Sequence, residues 1–264
     1  MTYLKEQNVF AWSHWNTPGN GGTGVGTDDY IDCDTILEGV EDVTYFVVQR
    51  TTPGWFGGLP YYIVERAASR QWLDMTGNVS NNSVWCLDSA VLYSGAAATA
   101  MTGLHHMAGA TALVYADGSM QAPVVVAADG TATIGTAASS VLIGFGYTPQ
   151  LQTLRLDLGE PSVQGKRKKV ANVSIVMEQS RGITVAQMRD DIDGNSIKGT
   201  SYPLRERVSN QTLGTALPFI TGIRRANVEP GYQIDGSVFI EGTPGLPNTI
   251  LAVIPTVVVA DDPG

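Results

Sequence analysis

Three histidines are the only imidazoles available for acid–base or metal chemistry: His14, His105 and His106. His105 and His106 are adjacent, and neighbours on a strand face opposite ways, so a regular strand cannot aim both at one metal. No Glu or Cys stands at ligand spacing around them, and the pair reads as turn or packing residues. Asp190-Asp191-Ile192-Asp193-Gly194-Asn195 carries the oxygen ligands of a calcium loop but lacks the alternating order and the closing Glu. It reads as a solvated loop. Gly19-Asn20-Gly21-Gly22-Thr23-Gly24-Val25-Gly26 has no Gly-Lys-Ser/Thr ending and no strand–helix frame, so it reads as a loop and not a phosphate cradle. Two cysteines, Cys33 and Cys86, are too few for a disulfide scaffold and read as reduced thiols. Neither a Gly-x-Ser-x-Gly elbow nor a His-Glu-x-x-His pair occurs. The expectation is a non-enzymatic chain with no catalytic, cofactor-binding or metal-binding residues.

Two features could recognise a ligand. Lys166-Arg167-Lys168-Lys169 is the one basic cluster. It is short, lacks interleaved aromatics and stands just before a strand, so it reads as a sheet-end cap or a contact for an acidic neighbour. Trp12, Trp15, Trp55, Trp72 and Trp85 could stack on sugars, although aromatics scattered through β domains more often anchor cores and interfaces.

These residues must be held by a β framework. The chain has 264 residues, 43% of them hydrophobic, which suffices for one large or two small cores. Only 16% are charged, so Ser, Thr, Asn, Gln and Gly must build much of the surface. Thirty glycines and thirteen prolines divide it into short β-rich runs, which predicts an all-β fold of several small antiparallel sandwich or barrel modules with long polar loops and few or no helices. The formal net charge of −9 has the wrong sign for a protein that grips duplex DNA. No apolar run approaches the roughly 18 residues of a membrane helix, and the first residues lack a signal-peptide core, so synthesis and folding in a cytoplasm are expected.

Three regions are predicted. Residues 1–75 form an N-terminal β region, with a hairpin of Val43–Arg50 and Tyr61–Arg66 and a weak helix over Ala67–Met75. Val9–Trp15 is strand-like with no earlier strand to pair with, which suggests a fragment or a segment completing a sheet elsewhere. Residues 76–150 form a small barrel or sandwich: Val84–Leu87, Thr111–Ala116, Pro123–Ala128, Thr131–Ile134 and Ser140–Tyr147, with turns at Asp117-Gly118 and Asp129-Gly130. Residues 151–264 form a C-terminal β domain, with strands at Gln152–Leu158, Val170–Gln179, Gly236–Glu241 and Thr249–Val259 around a long polar loop, Arg181–Thr215.

Several stretches, in order, resemble one known family. They are Gln7-Asn8-Val9-Phe10-Ala11-Trp12-Ser13; Val47-Val48-Gln49-Arg50 with Tyr62-Ile63-Val64-Glu65-Arg66; and Cys86-Leu87-Asp88-Ser89 with Gly103-Leu104-His105-His106-Met107-Ala108-Gly109 and Ala116-Asp117-Gly118. Gln164-Gly165-Lys166-Arg167-Lys168-Lys169, Ser180-Arg181-Gly182 and Leu246-Pro247-Asn248-Thr249-Ile250-Leu251-Ala252 follow. Together they look like the C-terminal part of the tail nozzle proteins of short-tailed bacteriophages, related to tail tubular protein B. His14 stands where that family usually continues with an Arg. Its members are usually much longer, which implies a fragment, a split gene or a shortened homologue.

The resemblance implies a virion structural protein, assembled in the host cytoplasm as a homo-oligomer, a hexameric ring in the family. It implies adaptor and fibre proteins as tail partners, passage of double-stranded DNA, and no membrane insertion. An acidic lumen would limit DNA sticking, and Asp157, Glu160, Asp190, Asp191 and Asp193 are candidates for acidic surface. The alternative reading is a receptor- or glycan-binding β module of a phage tail or cell surface.

Overall fold

The computed structural model describes residues 2–4, 9–11, 28–39, 41–68, 84, 86–157, 165–190, 193, 195–207, 212, 214, 216–228, 231–234 and 236–260. Among them the fold is almost wholly β, with antiparallel sheets, one curled into a half-barrel, and no α-helix. A two-stranded ribbon pairs β1 (Thr2–Leu4) with β2 (Val9–Ala11). A three-stranded sheet follows, β3 (Asp29–Glu38), β4 (Glu41–Arg50) and β5 (Tyr61–Arg66), with β4 central.

The middle sheet holds β6 (Asp88–Met101), β7 (Thr111–Ala116), β8 (Ser119–Val125) and β9 (Ala132–Phe145), in the order β6-β9-β7-β8. The β7–β8 hairpin turns on Asp117 and Gly118, both at positive φ (43° and 80°), the twist a two-residue hairpin loop needs. Alternate residues of β9 supply two cores because every side chain over Val141–Phe145 is covered. Val141, Ile143 and Phe145 join Met101, Leu104, Met107 and Val114. Leu142 points the other way, to Val84, Cys86, Leu87 and Tyr115, where Phe219 and Leu246 from the C-terminal part also pack. That second cluster is an apolar seam between the middle and C-terminal sheets.

The C-terminal part is two sheets around one core. One holds β11 (Lys168–Ser180) between β15 (Ile220–Asn227) and β17 (Thr249–Val259). The other runs β10 (Gln150–Gln152), β16 (Val238–Gly242), β12 (Ile183–Asp190) and β13 (Ser196–Lys198), with β14 (Tyr202–Pro203) also on β12. Val170, Val173, Ile175 and Met177 of β11 meet Ile183 and Val185 of β12 and Val238 and Ile240 of β16. The chain crosses between sheets at Arg181-Gly182, where Gly182 sits at φ 76° and a Cβ would lie 2.7 Å from Leu246 and Thr243.

Several local expectations are corrected. The Val9 strand does have an earlier partner, β1. Asp29–Glu38 and Ile220–Asn227 are strands where none was predicted. Val84, Cys86 and Leu87 lie outside any strand, and the strand starts at Asp88 and runs to Met101. Its Ser-Gly-Ala-Ala-Ala-Thr-Ala stretch has low β propensity and is carried by pairing with β9, with three breaks in register. The strands predicted at Thr131–Ile134 and Ser140–Tyr147 are two parts of the single strand β9, which leaves out Thr131, Gly146 and Tyr147. The strand predicted over Gln152–Leu158 stops at Gln152, and Thr153–Asp157 belongs to no strand. The polar loop Arg181–Thr215 contains β12, β13 and β14, because Ile183 and Val185 bury into the core. Of the predicted helix Ala67–Met75, only Ala67 and Ala68 lie among the described residues, and both are non-helical.

Two glycines separate strain from space. Gly39 (φ 64°) and Gly130 (φ 71°) both hold left-handed backbone, but a Cβ on Gly39 would meet nothing and one on Gly130 would lie 2.6 Å from the His105 ring. Gly39→Ala should cost about 1 kcal/mol, the ordinary left-handed penalty. Gly130→Ala should cost at least about twice that, because the His105 turn must also move. Urea unfolding of the two variants checks the order.

Candidate functional site: a buried arginine joint

Arg50 ends β4, and its side chain is completely buried. The register Arg50↔Tyr61 puts it on the face of the sheet that meets the middle sheet. All five of its N–H donors are used. Nε and one terminal nitrogen donate to Glu65 of β5, both at 2.6 Å. The two terminal nitrogens donate to Asp88 of β6, both at 3.0 Å, and one also donates to Asp28 at 3.2 Å. The guanidinium carbon lies 5.8 Å from the Phe145 ring centroid. Two bidentate pairs of this kind suit the planar fork of an arginine and cannot be reproduced by a lysine.

Neighbouring groups hold the carboxylates in turn. The Thr51 amide donates to Asp28 at 2.9 Å and the Ser89 hydroxyl to Glu65 at 2.8 Å. His106 Nε2 lies 3.0 Å from the Ser89 carbonyl, which can only accept, so Nε2 carries a proton. Tyr61 donates its hydroxyl proton to the His106 carbonyl at 2.5 Å. His105 and His106 lie in a single 3-10 turn, His105–Met107, that Gly54 meets by donating to the Ala108 carbonyl.

One guanidinium faces three carboxylates. Burial works against the Arg50 charge, but hydrogen bonds and attraction from Glu65 and Asp88 outweigh it and hold its pKa above the ordinary value. Burial raises the pKa of Asp28 and of Asp88, partly offset at Asp28 by the Thr51 amide and at both by Arg50. Burial lowers the pKa of His106, favouring the neutral ring. The arrangement clamps strands together, with Arg50 and Asp28 fully buried and Glu65 and Asp88 only slightly exposed.

Two other cations are also consumed internally. Arg181 is buried and donates to the Gly118 carbonyl in the β7–β8 turn at 3.2 and 3.3 Å and to the Leu217 carbonyl, with its guanidinium over Phe219. It ties the middle sheet to the C-terminal sheets. Lys168 is buried and donates Nζ to the Ile234 carbonyl at 2.8 Å, capping a sheet end. Its neighbours Lys166 and Arg167 are exposed and Lys169 is half-buried.

The remaining sequence candidates scatter. Asp190 ends β12 and pairs with Ser196 of β13, and of the segment between them only Asp193 and Asn195 are described. Among the described residues no three His, Cys, Asp or Glu side chains could hold a metal together. Asp157 and Asp193 are exposed. Cys86 is buried in the seam, which pushes its thiol up to about 12, and Cys33 is exposed. Trp55 packs with Tyr61, Phe56 and His105 at centroid distances of 6.0, 5.7 and 5.3 Å. Trp12, Trp15, Trp72, Trp85, His14, the 19–26 glycine segment, Glu160, Asp191 and the Asp190 side chain lie outside the described residues. Sequence reasoning named Arg50, Glu65, Asp88, Arg181 and Lys168 only as motif members. A cation ending an apolar strand, with carboxylates on later strands, is the one signal that could have marked the joint.

No protein-family model matches the chain, and no curated protein matches it. What the fold and site define is an all-β protein held together by buried cation joints.

Removing the cation while leaving three carboxylates buried should be severe: Arg50→Leu is expected to cost at least about 3–5 kcal/mol in urea unfolding. Asp28 gives a pH signature. Its folded pKa is raised above the unfolded value of about 4, so its stabilising contribution is complete below that value and is lost as pH rises through the folded pKa. Asp28→Asn lacks this titration. The stability deficit of Asp28→Asn relative to the wild type should therefore be larger at pH 4 than at pH 7, read from urea midpoints at the two pH values.

Proposed function

We propose that this protein is a structural component of a short phage tail, a subunit of the tube or nozzle through which DNA leaves. One observation carries the reading. The stretches that resemble the nozzle family are far apart in sequence, yet their polar residues meet. Arg50, Glu65, Asp88, Ser89 and His106 form one joint. Gly118, Arg181 and Pro247 form the other, where the Arg181 amide donates to the Pro247 carbonyl at 3.0 Å. Motifs that hold strands together support a mechanical role in a virion.

The working parts would be rigid sheets in a homo-oligomeric ring, contacting adaptor and fibre proteins, with acidic surface toward the DNA. A net charge of −9 favours sliding over gripping, since phosphate is repelled rather than neutralised. No helix among the described residues is long and apolar enough to cross a membrane.

A second reading, a glycan- or receptor-binding module, draws on the Trp55 loop. Phe56 is exposed and held at φ 48°, a strained conformation for a bulky residue, beside Trp55 and Tyr61.

Electron microscopy of virions with antibody–gold against this chain tests the tail reading; label at the tail tip is expected, and label absent from tails overturns it. Duplex-DNA anisotropy at physiological salt should show weak binding, and tight, salt-resistant binding would count against a conduit. A clear hit on a glycan array would move the ranking to the second reading.

A further inference from the structure

Among the described residues two sheets each leave much of one face exposed, and the two faces have opposite net charge. In the first, β3 is an edge strand exposed along nearly its whole length. The register Asp29↔Gln49↔Tyr62, Asp32↔Val47↔Val64 and Ile36↔Val43 puts these residues on the face turned away from the Arg50 joint. Tyr62, Val64 and Ile36 are 65%, 69% and 53% exposed there, among Asp29, Asp32 and Asp34. By the register, Asp29, Asp32, Asp34, Glu38 and Glu41 stand on that face with one cation, Arg66, which pairs with Glu38 at 2.8 Å.

The second is the outer face of β15-β11-β17. Ile223↔Val176↔Ala252, Arg225↔Ser174↔Ile254 and Lys169↔Val258 share that face, opposite the core residues Val173 and Ile175. Ile223, Leu251, Ile254 and Val258 are 62%, 61%, 51% and 46% exposed. That face carries two cations, Lys169 and Arg225, and one carboxylate, Glu178, while Lys168 is spent on the Ile234 carbonyl and Arg224 pairs beside the core residue Ile175. β17 also has an unpaired outer edge among the described residues, over eleven residues without a charge. A long apolar edge of that kind invites pairing with another chain.

We propose that the Asp29–Ile36/Tyr62/Val64 face of one copy packs on the Lys169/Ile223/Arg225/Ile254 face of the next. Charge selects the occupant. Either face against its own copy would oppose like charges, whereas the two together match apolar to apolar and acid to base. Three strands about 4.8 Å apart and ten residues at about 3.4 Å give roughly 500 Å² per face. The pair buries about 1,000 Å², the lower bound of a specific interface. Because the faces differ, the contact is head-to-tail and builds a closed ring or an open filament. The apolar side chains supply affinity, and the exposed ion pairs set register at little net energy. The inference rests on the assembly reading above for its setting, while the occupant follows from the faces themselves.

The test uses the full chain in sedimentation velocity across a concentration series. Wild type should associate. Asp32→Lys with Asp34→Lys, and separately Lys169→Glu with Arg225→Glu, should each raise the concentration for half-association at least about tenfold, the equivalent of about 1.4 kcal/mol. Mixed one to one, the two variants should reassociate, because the intact face of each meets the intact face of the other. Recovery in the mixture also shows that both fold. A wild type that stays monomeric throughout, variants that associate like wild type, or a mixture that does not recover would overturn the proposal. Association through these faces in a protein absent from tails would overturn the tail reading and leave this one standing.

Discussion

The meeting of the first three-stranded sheet with the middle sheet depends on one buried guanidinium. Among the described residues Arg50 is the cation that Asp28, Glu65 and Asp88 share, and each carboxylate comes from a different part of the chain. Asp28 precedes β3, Glu65 lies on β5 and Asp88 opens β6. A buried charge is tolerated only when paired and fully hydrogen-bonded, so the three segments cannot drift apart without stranding it. An apolar contact of the same area would permit sliding, while a guanidinium with five used donors admits one arrangement. The joint therefore contributes geometry more than stability: its desolvation opposes its Coulomb gain, and the raised pKa of Asp28 and Asp88 records that opposition.

The same logic recurs at the second boundary with a different balance. Arg181 meets carbonyls rather than carboxylates, at Gly118 and Leu217, beside an apolar seam of Leu87, Tyr115, Leu142, Phe219 and Leu246. Here the hydrophobic burial holds the sheets together and the arginine orients the β7–β8 turn against them. Gly245 fits the seam because a Cβ would lie 2.9 Å from Leu87. Two boundaries, each with a buried arginine, make a string of small sheets behave as a linked body.

The sequence made legible whatever was written in local physics. Glu41–Arg50 is dense in β-branched and aromatic residues, Thr249–Val259 alternates around Val and Ile, and Asp117-Gly118 carries its own turn conformation. Strands whose conformation comes from a partner were not legible. Asp29–Glu38 is four-tenths acidic and exposed on nearly every residue, with no apolar face to reveal its period. Asp88–Met101 is built of small residues that pair with β9 without packing strongly. Ile183–Asp190 hides among polar neighbours, though Val185, Ala186, Gln187 and Met188 are all buried. The joint was invisible for the same reason: Arg50 and Asp88 are 38 residues apart, and nothing in either neighbourhood announces the other.

The chain spends its buried cations inward and leaves apolar surface outward, and that distribution bears on what kind of object it is. The groups of the Arg50 joint pair with one another, and the exposed features among the described residues are broad: an acidic sheet, an apolar sheet with basic residues, and an aromatic loop. A lone sheet with one bare face is marginal in water, because its apolar side chains stay hydrated. Covering such faces with another chain yields hydrophobic stabilisation that the isolated protein cannot reach. Rigid internal joints make that gain larger, since a surface already fixed in shape loses less conformational freedom on contact. In the proposed assembly, buried arginines and open sheets would therefore act together, rigidity within the chain preparing its faces for contact with another copy.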